Sequence, residues 1–367
     1  MEVFLHNLFS FIVIISVIVF IHEYGHYWVA KRCGVRIDSF SIGFGPEVWG
    51  WDDKSGTRWK ISAFPLGGYV KMFGDEGAAS TPDSKKIKKL TAAEEKVAFH
   101  TQSLPTKSAI VSAGPIANFL LAIVILTALF FQHGKPITTS EVGEIVEGSA
   151  AAEIGLQSGD IIIELDGSDI SSFQDIQNIA SMSPDIEMTI TYLRDGRKIQ
   201  NKITPRPSET EDLFGNKVSV GILGIRSGKI IYKEMSFGES LIASTTETYS
   251  ISIRTLKALG QMITGKRDSS EISGILRIAE YSGQSVDKGF DAILWFMAIL
   301  SINLGLINIF PVPMLDGGHL MFYAVEVASG RPLAERVQEY AFRVGFVLLI
   351  MLMVFATYND LKHFEVL

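Results

Sequence analysis

Two histidines and a glutamate stand at the end of a long apolar run, in the sequence HEYGH at residues 22–26. Residues four apart share one face of an α-helix, so His22 and His26 can direct their imidazoles at one metal ion. Glu23 lies about 100° round the helix, where its carboxylate can reach a metal-bound water without being a ligand. Zinc acidifies its bound water, and a glutamate can accept the proton and pass it on. The spacing therefore predicts a zinc site that activates water.

A catalytic zinc site needs a third protein ligand and one position left open for water. The best candidate is Asp316 in "LGLINIFPVPMLDGGHL" (304–320), where an apolar helix is broken by prolines. His319 is a rival ligand, although a packing role suits it better. Asn308 and Pro311, beside the break, are candidates for contacting a substrate backbone. Asn308 has an alternative role, since an asparagine in such a helix can simply hydrogen-bond a neighbouring helix.

The apolar residues of the chain are clustered in four runs. They make up 47% of the 367 residues, against 20% charged residues. A bilayer core of about 30 Å requires roughly 20 helical residues. We therefore predict four transmembrane helices rather than four core helices of a large soluble enzyme. An ionisable side chain inside a bilayer costs about 2.5–3.5 kcal/mol even on insertion scales, so the histidine motif needs a function there. The runs are Leu8–Ile21, Ala109–Phe131, Ala292–Phe310 and Val344–Thr357.

Charge predicts the orientation of these helices and excludes one class of partner. Lys31, Arg32 and Arg36 follow the first run, and a "KKIKK" cluster at 85–89 lies in the same loop. Positive loops stay in the cytoplasm, so the N-terminus is expected outside. The net charge of −7 argues against nucleic acid as a partner. The only cysteine, Cys33, allows no intrachain disulfide.

Between the first two runs, residues 40–74 alternate apolar and polar side chains around glycines and a "DDKSG" turn. This pattern predicts β-hairpins. The segment is rich in aromatic residues, so it either packs against itself or enters the membrane beside the metal site. Non-helical backbone is tolerated at that depth only where protein or water satisfies it. Its edge could hold a substrate in extended form, and the candidate contact residues are Gly43, Phe44, Gly67 and Gly68.

A separate domain is predicted between the second and third runs. "GEIVEGSAAAEIGLQSGDIIIELDGSDI" (143–170) resembles a permuted PDZ domain of bacterial proteases, and we find one copy. PDZ domains commonly bind peptide ends or strands at a sheet edge. A spacer or steric filter without a peptide ligand is an equal alternative. Residues 235–266 are weakly amphipathic and predict either a helix on the membrane surface or an ordinary surface helix.

These segments together resemble the site-2 protease family, in particular the bacterial RseP type of intramembrane zinc metalloprotease. The similarity extends over HEYGH, "NIFPVPMLDGG", the interposed PDZ domain, "SAGPIANF" (112–119) and "FPLGGYVKM". The resemblance implies one zinc ion per chain with ligands His22, His26 and Asp316. It also implies that Glu23 is the catalytic base, that Asn308 handles substrate, and that residues 40–72 form a membrane-reentrant β-loop. The chain departs from the family in having one PDZ domain rather than two, and "GIL" at 274–276 where Gly-Pro-Ile is usual.

The expected fold is a polytopic α-helical membrane protein with four transmembrane helices, a membrane-associated β-hairpin region and one periplasmic PDZ (α+β) domain. The resemblance implies a protease of the bacterial inner membrane. Its partners would be the lipid bilayer and single-pass membrane proteins such as anti-sigma factors already clipped outside, with remnant signal peptides a further substrate class. A non-catalytic PDZ scaffold and a zinc sensor or transporter are the rival functions. The predicted boundaries are 1–33, 34–104, 105–132, 133–225, 226–290, 291–330 and 331–367.

Overall fold

The computed structural model describes residues 2–75, 90–211, 217–265 and 269–365. The "KKIKK" cluster lies outside the described residues. The chain divides into two compact units. The first unit comprises Met1–Leu129, Ser244–Thr255 and Ser269–Leu367, and the second comprises Phe130–Ala243 and Leu256–Asp268.

The described residues form helices and strands that are numbered in chain order. The helices are α1 (Glu2–Arg32), α2 (Ala92–Glu95), α3 (Leu104–His133), α4 (Ala150–Glu153), α5 (Phe173–Ser181), α6 (Phe237–Ile263), α7 (Ile275–Asp287), α8 (Phe290–Ile309), α9 (Asp316–Ser329) and α10 (Glu335–His363). The strands are β1 (Ile37–Asp52), β2 (Arg58–Met72), β3 (Lys135–Thr138), β4 (Val142–Ile145), β5 (Ile161–Leu165), β6 (Ser168–Asp169), β7 (Met188–Arg194), β8 (Arg197–Ile203), β9 (Arg206–Glu211), β10 (Lys217–Ile222), β11 (Ile225–Ser227) and β12 (Ile230–Lys233).

Four of the described helices, α1, α3, α8 and α10, are long and apolar enough to cross a membrane. They contain the four apolar runs of the sequence except Phe310, which follows the last residue of α8. Helix α3 has 30 residues, which corresponds to about 45 Å of length and exceeds the bilayer core. It is also the most enclosed, with half of its most apolar window buried against 11% for α10. Helix α3 is therefore central to the packing of the first unit.

The predicted β segment of the first unit forms β1 and β2, which pair in antiparallel fashion with several shifts of register. The shifts arise because both strands bend, so that residues 39–42 of β1 have partners in both 68–71 and 58–61 of β2. The turn between the strands is held by Asp53, whose carboxylate accepts hydrogen bonds from the backbone N–H groups of Ser55 and Thr57. Desolvation raises the pKa of Asp53, but the hydrogen bonds from the Ser55 hydroxyl, from these N–H groups and from the Trp59 indole outweigh it and hold the pKa below its usual range.

The second unit contains a four-stranded sheet in the order β6-β5-β7-β8, which packs with α4 and α5 around its own apolar core. Helix α5 begins with a capping box between Ser172 and Asp175. The last strands of the second unit pair with its first strands: β11 pairs with β4, and β12 pairs with β3. The paired strands thus continue to Lys233, past the predicted boundary at 225.

The "GIL" departure at 274–276 falls at the start of α7, in the first unit. Asp360 of α10 accepts hydrogen bonds there from the backbone N–H groups of Gly274, Leu276 and Arg277, and from Arg277 Nε. A helix start leaves such N–H groups without partners inside the helix, and a carboxylate is well suited to them. Gly283 of α7 lies against Asn7, which brings the helix into contact with α1. Helix α7 is therefore bound to both α1 and α10.

Candidate metal centre

The metal centre is built from α1 and the start of α9. His22 and His26 lie one turn apart on α1, and both are buried at 7% exposure. Asp316 is the first residue of α9. The two glycines after it are required by close packing, because a Cβ on Gly317 would lie 2.1 Å from the carbonyl oxygen of Ile309. The LDGG sequence thus turns the chain sharply enough to bring the carboxylate to the histidines.

The three side chains converge on one point. The Asp316 Oδ2 atom lies 3.2 Å from His22 Nε2 and 3.4 Å from His26 Nε2, and the two Nε2 atoms are 3.3 Å apart. Ligands placed tetrahedrally at about 2.0–2.1 Å from zinc are separated by roughly 3.3 Å. The buried Oδ2 atom has no hydrogen-bond partner among the described residues. An unpartnered carboxylate oxygen facing two imidazole nitrogens at these distances fits a zinc ion.

Helix α3 holds the outer nitrogens of both imidazoles. His26 Nδ1 donates to the carbonyl oxygen of Ile110 at 2.9 Å. The Nδ2 atom of Asn118 lies 3.1 Å from His22 Nδ1, and its buried Oδ1 atom has no partner in the described structure. We assign this amide with Oδ1 accepting from Nδ1–H, because a histidine that binds metal through Nε2 carries its proton on Nδ1. Both Nε2 atoms then present lone pairs toward Asp316.

Small residues let α3 approach this closely. A Cβ on Gly114 would lie 2.2 Å from His26 Nε2, and a Cβ on Gly25 would lie 2.4 Å from the carbonyl oxygen of Ala113. Asn118 is completely buried, and its carbonyl oxygen accepts a hydrogen bond from Ser301 of α8 at 2.8 Å. The site is therefore enclosed by α1, α3, α8 and α9.

A cavity of about 430 Å³ opens onto the three ligand candidates. Of the residues predicted to contact substrate, Asn308, Phe44, Gly67 and Gly68 line it together with Glu23, whereas Gly43 and Pro311 do not. His319 lines the cavity too but is not part of the three-residue ligand cluster, and its ring packs against Phe322 and Phe342. The remaining lining residues are Val19, His22, His26, Tyr69, Val70, Met72, Val111, Leu304, Met314, Leu315 and Asp316.

Helix α3 contributes to the site in a way that no sequence motif had predicted. "SAGPIANF" carried only a family resemblance, although Gly114 and Asn118 within it pack directly against the histidines. A buried asparagine in an otherwise apolar helix was the available signal, since such a side chain requires a hydrogen-bond partner.

The chain is similar to known proteins over nearly its whole length. The sequence model described as "Peptidase family M50" matches residues 10–352. A protein of Agrobacterium fabrum that bears the provisional name of a zinc metalloprotease is 43% identical over 356 residues, covering 96% of this chain and 94% of its own length. The metalloprotease MmpA of Caulobacter vibrioides is 37% identical over 389 residues, covering 99% of this chain and 97% of its own.

Two solved structures are similar to part of the chain. They are PDZ domains of SdrC-like proteins from Listeria monocytogenes and Listeria innocua, with 22% and 23% identity and TM-scores of 0.19 and 0.20. They cover 24% and 26% of this chain, and 87% and 98% of their own chains.

Proposed function

From the membership of this chain in peptidase family M50, which makes it a zinc metalloprotease, we propose that it hydrolyses peptide bonds in the membrane-spanning segments of single-pass membrane proteins. The proposal assigns one zinc ion per chain to His22, His26 and Asp316. The observation that carries it is the unpartnered Asp316 Oδ2 atom, which faces both Nε2 atoms of α1, a helix apolar enough to cross a bilayer.

Glu23 is the proposed catalytic base. His22, His26 and Asp316 would hold a zinc ion, which would supply a Lewis acid for the activation of water. Glu23 lines the same cavity and would accept the proton of the attacking water, then deliver it to the nitrogen of the leaving amine. Ile110 and Asn118 keep the imidazole protons on the outer nitrogens throughout, so that the inner nitrogens stay available to the metal.

The sheet edge beside the cavity is the proposed substrate platform. Gly67 and Gly68 of β2 line the cavity, and a Cβ on Gly68 would lie 2.9 Å from Glu23 Cγ. The backbone of a substrate could therefore pass close to the base. A transmembrane helix must unwind before its peptide bonds are accessible, and strand addition at this edge would hold the unwound segment. Asn308 would bind its polar backbone groups.

The location of the protein and the way it selects substrates are part of the proposed function. The positive charges that follow α1 favour a cytoplasmic position for its C-terminal end, in the inner membrane of a bacterium. The second unit would then be periplasmic and, as a PDZ domain, would exclude substrates with bulky intact ectodomains. Anti-sigma factors already clipped outside and remnant signal peptides are the substrate classes that the family resemblance suggests.

Substitution of the base tests the proposed activity. Glu23→Gln should keep about one zinc per chain and lose at least ~10²-fold in cleavage of a model membrane segment, because the amide cannot accept the proton. Zinc is measured by elemental analysis of the purified protein, and cleavage by mass spectrometry of the products. Glu2→Gln, an exposed position on the same helix, is the matched control and should behave as wild type. Undiminished cleavage by Glu23→Gln with zinc still bound would remove Glu23 from its role.

A further inference from the structure

The two-stranded ribbon formed by β3 and β12 exposes apolar side chains on both faces. Ile230, Ile231 and Tyr232 of β12 are 65%, 46% and 64% exposed. Successive residues of a strand point to opposite faces, so Ile230 and Tyr232 share one face and Ile231 lies on the other. Neither face is covered by the described part of the chain.

A strand exposed to water normally alternates apolar and polar residues. The strand β8 of the same unit follows this rule, with the sequence Arg-Lys-Ile-Gln-Asn-Lys-Ile and its isoleucines turned inward. The exposed Ile-Ile-Tyr of β12 does not. The ribbon therefore has the composition of a segment whose surroundings are apolar, although the described residues of the chain do not bury it.

The position of the ribbon next to α3 identifies those surroundings. The apolar run of α3 ends at Phe131, the helix ends at His133, and only Gly134 separates it from β3. Gly134 is packed against the backbone of Lys233, the last residue of β12. Phe237 at the start of α6 contacts the ring of Phe131 at 6.0 Å between centroids. The first residue of β3 and the residues that follow β12 thus both lie next to the last turn of α3, a candidate membrane span.

The ribbon has a lysine on each strand at its end next to α3. Lys135 and Lys233 are cross-strand partners at the end next to α3. Like charges directly opposite each other destabilise a strand pair in water. The Lys135 Nζ atom lies 5.7 Å from the centroid of the Phe130 ring in the last turn of α3, and lipid phosphates at that level would add counter-charge beside both lysines. The apolar residues of β12 lie within about 10 Å of this end, a distance comparable to the depth of the interfacial layer.

We propose that the β3–β12 ribbon lies in the interfacial layer of the bilayer, with Ile230 and Tyr232 among the acyl chains and the lysines at the phosphates. This inference rests on the membrane location in the proposed function. It adds a lipid-binding surface in the second unit that is separate from the catalytic cavity, and it would hold that unit at the membrane surface.

Spin labels measure the depth of the ribbon directly. Cys33 is the only cysteine, so a Cys33→Ser background gives single-label variants. Ile230→Cys and Tyr232→Cys are labelled with a nitroxide and reconstituted as the full chain into vesicles of phosphatidylethanolamine and phosphatidylglycerol. Met182→Cys, at an exposed apolar residue of the same unit outside the ribbon, is the matched control. Power saturation compares collisions of each label with oxygen and with a water-soluble nickel chelate.

We expect the labels in the ribbon and the control label to differ in their main collision partner. Labels at 230 and 232 should collide mainly with oxygen, and the label at 182 mainly with the nickel chelate. Nickel-dominated collisions at both ribbon positions would overturn the proposal, and so would dipolar broadening that indicates contact with a second copy. Cleavage of the model substrate is assayed on the same vesicles. An active protease with an aqueous ribbon would reject the lipid surface alone, whereas an inactive one with a lipid-embedded ribbon would count against the proposed function.

Discussion

At the level of single residues, the amide of Asn118 determines which nitrogen of His22 faces Asp316. Its side chain reaches Nδ1 from α3, and its own backbone is fixed by Ser301. An imidazole without such a partner can exchange its proton between the two nitrogens and rotate. The metal centre therefore depends on a residue that is not itself a ligand.

The loss of this amide should weaken metal binding. We expect Asn118→Ala to lower zinc affinity by about 10–100-fold, because His22 loses the acceptor that holds its proton on Nδ1. Asn118→Asp, which keeps an acceptor oxygen, should recover most of the affinity. Competition with a chromophoric chelator in detergent measures the dissociation constant of zinc without reference to activity.

Asn303 provides a matched control for this experiment. It is an asparagine of α8 that accepts a hydrogen bond from Thr255 and does not line the cavity. Asn303→Ala should leave zinc affinity within about twofold of wild type, since only a peripheral hydrogen bond is lost. Equal affinities for the Asn118→Ala variant and wild type would show that Ile110 and the helix packing alone orient the ligands.

The residues of the site were predictable to different degrees. His22, Glu23 and His26 are adjacent in sequence, and helix periodicity alone places the two histidines on one face. Asp316 lies almost 300 residues away, so only its membrane context and the family resemblance suggested it. The structure brings the three candidate ligand atoms within 4.8 Å of one another. Asn118 required knowledge of how α3 packs, which no local pattern contains.

At the level of elements, the β1–β2 sheet contributes one wall of the cavity through Phe44 and Gly67. The Phe44 ring stacks on Tyr69 at 6.1 Å between centroids and remains 42% exposed toward the cavity. Gly67 has a positive φ of 132°, and a Cβ there would lie 2.5 Å from the Phe44 ring. The glycine therefore makes room for the aromatic side chain that a substrate would meet.

Truncation of Phe44 should impair cleavage without affecting the metal. We expect Phe44→Ala to lower kcat/KM for a model membrane segment by about tenfold, equivalent to ~1.4 kcal/mol of lost apolar contact. Phe64, the cross-strand partner of Phe44, is 60% exposed and does not line the cavity. Phe64→Ala is thus the matched control and should cleave like wild type. An equal loss in both variants would point to general disruption of the sheet instead of substrate contact.

The elements themselves were largely predictable because their patterns are local. Apolar runs of sufficient length predicted the four long helices, and alternation with glycines predicted β structure at residues 40–74. The bends of β1 and β2 were not predictable, because they depend on long-range pairing. The hydrogen bonds at the start of α7 were not predictable either, because their carboxylate acceptor, Asp360, comes from the far end of the chain.

At the level of the whole molecule, the two units have separate apolar cores and separate sources of stability. All five tryptophans, at positions 28, 49, 51, 59 and 295, belong to the first unit. Tryptophan fluorescence therefore reports on the first unit alone. The second unit has a buried ion pair that can be altered independently. Asp160 is 2% exposed and accepts hydrogen bonds from Arg194 Nε at 2.8 Å and Nη2 at 2.7 Å.

Arg194→Gln should destabilise the second unit at pH 7 by roughly 3 kcal/mol, because the carboxylate of Asp160 is left without its counter-charge. In wild type, Arg194 lowers the pKa of Asp160. The stabilisation is thus complete above the ordinary pKa of about 4 and declines as pH falls toward the lowered value. The difference in unfolding free energy between variant and wild type should therefore be constant from pH 7 to about 5 and shrink below pH 4.

Pulse proteolysis in urea measures the unfolding of the second unit, because an added protease cuts that unit only when it is unfolded. Tryptophan fluorescence follows the unfolding of the first unit in the same samples. Lys198→Gln, in the neighbouring strand β8, removes a positive charge that lies 3.9 Å from Glu164 Oε2 and should cost less than about 0.5 kcal/mol. A parallel shift of the fluorescence transition in Arg194→Gln would mean that the two units unfold together. A difference that stays constant down to pH 3 would mean that Arg194 stabilises the unit through packing and not through the charge of Asp160.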